Sequence, residues 1–244
     1  MKTIKKILLK ILDRFFPRIL YSIKSYSQDG EDMLLRSFYE GMKGYKGFYV
    51  DIGAHHPFRF SNTAYFYKQG WNGINIEPTP RLIKAFKRFR KRDINLNYGV
   101  SDHEETLKFY EFNEPALNGF SRNLSYSRNK ANNKYKIINT MQMKVYTLET
   151  ILDIYLPKNR KIDFFNIDVE GLDLNVLKSN NWDKYNPDYI LVEEVNESND
   201  IYSFLIDKNY KLIGKTKRTS LFRLNVLYYT EGYDHIYIRY TICD

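Results

Sequence analysis

From residue 47 onward, short apolar runs alternate with stretches of helical periodicity, and most of the runs stop at a carboxylate. Phe48–Gly53 reads as a buried strand running into a glycine turn. Ser61–Gln69 reads as a helix capped by Ser61 or Asn62, and Gly73–Pro78 as a second strand. Pro80–Arg92 is a basic helix with Leu82, Ile83, Phe86 and Phe89 inward, and Ile94–Ser101 is a third strand. Thr106–Phe112 reads as an added strand, and residues 113–143 as a long loop or lid rich in Asn, Ser, Lys and Arg. Leu148–Tyr155 is a helix, Ile162–Asp168 a fourth strand, Leu172–Ser179 a helix and Tyr189–Val195 a fifth strand. Asp200–Lys208 is a further helix; Tyr210–Gly214 and Ser220–Leu224 close as a terminal strand pair. Such alternation implies an α/β fold: a mostly parallel sheet with an antiparallel terminal pair and helices on both faces.

Ligands of such sheets sit beyond the carboxyl ends of the strands. The first strand ends at Asp51 and Gly53, and Gly53 permits a tight turn and close approach to a ligand. The second ends at Glu77, 24 residues after Gly53, a distance at which an acid binds ribose hydroxyls. The first turn is not G-x-G-x-x-G, which argues against NAD and FAD and for a nucleoside without a diphosphate. The third strand ends at Ser101-Asp102, where a carboxylate could accept the exocyclic amine of adenine. Asp168 and Glu170 follow the fourth strand; Glu193 and Glu194 end the fifth. A ring of acids suits a cofactor of net positive charge. The plainer alternative is that Asp51 and Asp168 cap turns and that Glu193, Glu194 and Glu197 form a solvated run.

These residues carry a resemblance. Ser27-Gln28-Asp29-Gly30-Glu31-Asp32 resembles the S-Q-x-G-E-D entry motif of FkbM-type methyltransferases. Phe48–Pro57 is similar to that family's first strand and turn. Ser61-Asn62-Thr63, Gly70-Trp71-Asn72-Gly73, Ile76-Glu77-Pro78 and Ile167-Asp168-Val169-Glu170-Gly171 follow in the family's order. The resemblance covers roughly residues 25–225. It implies a Rossmann-like class I methyltransferase sheet, S-adenosyl-L-methionine (SAM) as methyl donor and a hydroxyl as acceptor, often on a sugar. By that resemblance Asp51 and Gly53 form the methionine side of the pocket, Glu77 holds the ribose, and Ser101 and Asp102 flank the adenine. Gln28 and Asn62 reach the amino-acid end. The family commonly has Glu where this chain has Asp173.

A sugar hydroxyl must lose a proton on methylation, and a positioned carboxylate or imidazole can take it. Asp168, Glu170 and His56 are the candidates, in that order; alternatively Asp168 with Glu194 holds a Mg²⁺ that acidifies the hydroxyl. The expected acceptor is a sugar hydroxyl in a glycan, glycolipid or secondary metabolite. RNA is the runner-up acceptor, motivated by a net charge of +9 and 22 Tyr. Against it, no D/N-P-P-Y-type motif follows the fourth strand. A third reading is a non-catalytic, membrane-associated glycan-binding domain.

The single cysteine, Cys243, excludes a disulfide framework within the chain and a Cys-based zinc site. A reducing cytoplasm is the simplest compartment. The chain divides into a basic amphipathic helix (1–24), a methyltransferase domain (25–225) and a tail (226–244). In the first segment Ile4, Ile7, Leu8, Ile11, Leu12, Phe15 and Ile19 share one helical face. Residues 1–20 either lie on an anionic membrane at its inner face or pack on the domain or a partner chain. Arg81, Lys84, Lys87, Arg88, Arg90, Lys91 and Arg92 form a second basic run without an acid. This run is either an anion-attracting cluster or a solvated helix face.

Overall fold

Phe48–Ile52 (β1) is buried at every position, as a parallel strand must be when helices cover both its faces. It stands third from one edge of a seven-stranded sheet in a computed structural model that describes residues 12–16, 22–194 and 199–225. Ahead of it lies a short helix, Glu31–Ser37 (α1). After it come Ala64–Lys68 (α2), Asn72–Ile76 (β2), Pro80–Phe89 (α3) and Ile94–Leu96 (β3). An insertion follows: Gly99–Val100 (β4), Glu105–Phe112 (β5), a 3-10 turn at Pro115–Leu117, Arg122–Lys130 (α4) and Ile137–Tyr146 (β6). Leu148–Tyr155 (α5), Phe164–Ile167 (β7), Asp173–Lys178 (α6), Tyr189–Glu193 (β8) and Asp200–Asp207 (α7) return to the main sheet. Tyr210–Lys215 (β9) and Thr219–Leu224 (β10) complete it.

The sheet order is β3-β2-β1-β7-β8-β10-β9. β3, β2, β1, β7 and β8 are parallel; β10 runs antiparallel to β8 and to β9. This is the Rossmann-like methyltransferase arrangement, with its switch point between β1 and β7.

Strand alternation sorts the core into two layers. Phe48, Val50 and Ile52 pack with Leu148 and Leu152 of α5, Val176 of α6 and Leu205 of α7. Tyr49 packs on the opposite face with Leu35 of α1, Phe66 of α2, Trp71 and Phe164. Each such buried side chain contributes about 1.5–3 kcal/mol relative to exposure.

Several sequence expectations need correction. The third strand breaks in two: β3 stays in the main sheet, while β4 joins a second, three-stranded sheet of order β4-β6-β5. Residues 113–143 are not a loop. They hold a 3-10 turn, α4 (whose N-cap Ser121 accepts from the Leu124 amide) and most of β6. β6 pairs with β5 from Val145 to Ile137 but buries only Val145; its alternation of Met141, Met143 and Val145 with Gln142 and Lys144 is confined to its second half, and Asn139 and Thr140 interrupt the apolar residues before it. The second helix is shorter than expected, with Ser61 Oγ accepting from the Ala64 amide just before it.

On α3 the inward stripe is Leu82, Ile83 and Phe86, continued by Arg90; Phe89 lies off that stripe and is 49% exposed. Arg90 is fully buried. It donates from Nε to Asp93 at 2.9 Å, from Nη2 to Tyr49 Oη at 2.6 Å and Thr63 Oγ1 at 3.1 Å, and from Nη1 to the Pro57 carbonyl at 3.1 Å. Asp93 also accepts from Tyr49 Oη, the Gly73 amide and Asn75 Nδ2. A buried charge pair is tolerable only when its remaining polar atoms are satisfied in this way.

Of the amphipathic segment, residues 12–15 are helical; the rest of it, apart from residues 16 and 22–24, lies outside the described residues, as does the tail after residue 225. No helix among the described residues is long and apolar enough to cross a membrane.

Candidate active site

The carboxyl ends of β1, β2 and β7 open into a cleft of about 260 Å³ at the switch point. Gly53 forms its floor with φ of +77°. A Cβ there would stand 1.8 Å from the Asp168 carbonyl oxygen, so only glycine fits. The Gly53 and Ala54 amides both donate to the Ile76 carbonyl, at 3.0 and 3.1 Å, and lock the turn to β2.

On the β1–β2 side every carboxylate has assigned donors. Asp51 accepts from Thr63 Oγ1 at 2.6 Å and from Asn166 Nδ2 at 2.8 Å. Asn62 Nδ2 donates to Asn166 Oδ1 at 2.8 Å and extends that chain to the cleft wall. Burial raises the Asp51 carboxyl above its usual range, while the two side-chain bonds pull it back. Glu77 accepts from the His55 amide at 2.8 Å and the Thr79 amide at 2.6 Å, one on each oxygen. Burial pushes the Glu77 carboxyl up to about 7. The Thr79 side chain also stabilises the charged form, and a carboxylate with these three donors keeps acceptor capacity for one more.

The β7–β8 side differs. Asp168, Glu170 and Glu193 bring carboxylate oxygens within 4.8 Å of one another. Asp168 opens to the water of the cleft yet is walled in by protein atoms. That confinement, and then Glu193 and Glu170, hold its carboxyl well above the ordinary range. Glu170 sits at φ of +55° and is raised to about 7 by burial and Glu193. The countercharge is Arg128 of α4, whose Nη2 lies 2.6 Å from Glu170 Oε2. Asp173 accepts from the Val169 amide at 3.0 Å and the Gly171 amide at 3.1 Å, which ties the D-V-E-G turn to the start of α6. The shorter side chain at this position thus has a definite task as a turn clamp.

The rim is polar. Arg59 reaches across the cleft to Glu114 with bonds of 2.9 and 3.1 Å and stacks on Phe60 at 4.1 Å. Burial and the neighbouring Arg59 lower the His55 imidazole to about 4, so it is neutral at pH 7. Gln28, with its amide oxygen turned to Arg218, accepts from that guanidinium at 2.7 and 2.9 Å. Arg218 also bonds Asp29 at 3.1 Å. Asn118 ties the insertion to the end of β2 by donating to Thr79 Oγ1 at 3.1 Å.

The cleft therefore gathers Gln28, Asp51, Gly53, Asn62, Glu77, Asp168 and Glu170. Ser101, Asp102 and His56 do not line it. Asp102 accepts from Asn175 at 2.7 Å and from Ser101 at 3.1 Å, because the chain leaves the main sheet at β4 and carries both residues away. His56 Nδ1 accepts from the Phe58 and Arg59 amides and organises the loop after β1. Glu194 pairs with Lys215, so Glu193 rather than Glu194 completes the carboxylate group. Sequence reasoning missed Arg59, Glu114, Arg128, Asn166 and Arg218. Asn166 alone left a trace, as a polar residue inside a buried strand.

Among curated proteins none matches the chain significantly. The crystal structure of monomeric WbdD is similar over 81% of this chain and 42% of that one, at 12% identity and a TM-score of 0.42. The chain thus spans less than half the length of that structure. The methyltransferase FkbM domain matches residues 51–212, a span from the end of β1 into β9 that contains most of the cleft lining, with Gln28 and Arg218 outside it. The chain belongs to the FkbM methyltransferase family.

Proposed function

We propose that this methyltransferase uses SAM to methylate a sugar hydroxyl of a glycan, glycolipid or secondary metabolite. The observation that carries the reading is the split character of the cleft: a glycine floor with a ribose-type acid on one side and a crowded carboxylate group on the other. The residues fit a nucleoside-bearing cation. Gly53 leaves room that any side chain would fill, and the Glu77 carboxylate can accept a hydroxyl beyond the donors it already has. When bound, SAM supplies an already activated methyl group.

The chain's own contribution is alignment and proton removal. Gly53 and Glu77 hold the donor side, and Asp51 acts through Thr63 and Asn166 to keep the end of β1 in register with β7. Alignment of acceptor oxygen and methyl carbon supplies much of the rate. Asp168 is our first choice of general base. It opens to the cleft, and its neighbours raise its affinity for a proton, which a base needs near neutral pH. Glu170 is second; Arg128 neutralises it and limits the charge that Asp168 must face. Asp168, Glu170 and Glu193 are also hard oxygen donors of the kind that would hold Mg²⁺. We assign proton transfer to the carboxylate because Arg128 already supplies a positive charge there. We place the activity in the cytoplasm.

The test is methyl transfer from tritiated SAM into glycan and glycolipid extracts. Wild-type protein is expected to label the sugar fraction, and Asp168→Asn to lower the rate at least about a hundredfold. Full turnover by Asp168→Asn would remove that residue from the chemistry. Label appearing in RNA alone would overturn the acceptor class.

A further inference from the structure

The outward face of α3 carries more positive charge than the fold uses. Arg81, Lys84, Lys87, Arg88, Lys91 and Arg92 are all exposed, on and just after that helix. None of them forms an ion pair among the described residues. Two cations of the run are used by the fold: Arg90 points into the core, and Arg92 donates to the Tyr67 and Trp71 carbonyls and stacks on the Tyr67 ring at 3.9 Å, which leaves Arg81, Lys84, Lys87, Arg88 and Lys91 on the outward side. Five like charges on one short face repel one another, and that repulsion is relieved by an anionic partner.

The same face carries exposed rings and leads to the cleft. Phe89 is 49% exposed among the cations and meets Phe58 edge-on at 5.9 Å. Phe58 is followed by Arg59 and Phe60, both on the cleft rim, and Phe60 is 38% exposed. Arg90 Nη1, bonded to the Pro57 carbonyl at 3.1 Å, pins this loop to the end of α3. Cations, rings and cleft mouth thus form one continuous, anchored surface.

We propose that this surface docks on an anionic lipid bilayer and presents the cleft mouth to it. Charge complementarity selects an anionic partner. Two features favour a bilayer over RNA. Phenylalanine rings lack a polar tip and gain from entering the headgroup boundary. The cations lie on the outer ridge of a helix, which suits a plane better than it suits a strand that must be enclosed. The inference stands apart from the choice of acceptor: docking can hold whatever hydroxyl is methylated.

The test is co-sedimentation of the full chain with phosphatidylcholine vesicles, with and without phosphatidylglycerol. Binding is expected only to the anionic vesicles and should weaken as salt rises. The triple variant Lys84→Glu, Lys87→Glu, Arg88→Glu is expected to lose at least about tenfold in partitioning. Phe89→Ser is expected to lose about two- to fivefold while keeping the salt dependence. Thermal melting confirms that both variants remain folded. Three results would overturn the proposal: no binding by the wild type, equal binding to both vesicle types, or unchanged binding by the triple variant. Retention of polyuridylate with no vesicle binding would reassign the face to nucleic acid.

Discussion

The two sides of the cleft solve the problem of buried charge in opposite ways. Under β1 and β2, each acid is matched by its own donors: Asp51 by Thr63 and Asn166, Glu77 by two backbone amides, Asp93 by Arg90, Tyr49, Asn75 and the Gly73 amide. At the ends of β7 and β8, three acids face one another with Arg128 as the partnering cation of Glu170. The first arrangement fixes shape, because a satisfied polar network has one geometry and loses energy in any other. The second leaves charge in excess and so holds affinity for a proton or a cation. A binding frame and a reactive centre are thus distinguished by how completely their polar groups are paired.

The largest expected effect breaks the frame. Arg90→Met should destabilise the fold by about 3–5 kcal/mol, since it strands Asp93 as a buried charge without its partner. Denaturant unfolding measures this, and a loss under about 1 kcal/mol would mean that Asp93 is held adequately by its neutral donors. The reactive side should behave differently. Asp168→Asn should leave folding and S-adenosylhomocysteine affinity nearly unchanged while turnover falls at least about a hundredfold, equivalent to roughly 2.7 kcal/mol of transition-state stabilisation.

A smaller effect, common to both sides, is read through pH. The folded protein holds the Glu170 proton to about pH 7, above its ordinary value of 4.5, whereas the unfolded chain releases it earlier. Stability from this group is therefore fully present below about 4.5, falls as pH rises to about 7, and is level beyond. Glu77 and Asp173 shift in the same direction. Glu170→Gln should flatten part of that slope and raise stability above pH 7 by on the order of 1–3 kcal/mol. Thermal melting across that range checks it; an unchanged slope would mean that Arg128 fully compensates the charge.

The two sides were not equally legible in the sequence. Asp51, Gly53, Glu77 and Asp168 announced themselves because buried parallel strands are short apolar runs, and the polar residue that ends each run must face the cleft. The insertion hid its contribution. Arg128 and Glu114 meet Glu170 and Arg59 only through tertiary packing, and β6 shows its strand alternation only over the short stretch Met141, Met143 and Val145. Ser101 and Asp102 misled because the third strand stops at Leu96 and the chain then joins the second sheet. Arg90 looked like its six basic neighbours. Two signals could have singled it out: it continues the inward stripe of Leu82, Ile83 and Phe86, and Asp93 follows three residues later.

The most direct test of the central claim is a calorimetric titration of the folded protein with S-adenosylhomocysteine, repeated with Glu77→Gln. Wild-type protein is expected to bind in the micromolar range, roughly −8 kcal/mol, and the variant to lose at least about tenfold. No binding by the wild type, or equal binding by both proteins, would contradict the assignment of this cleft to the methyl donor.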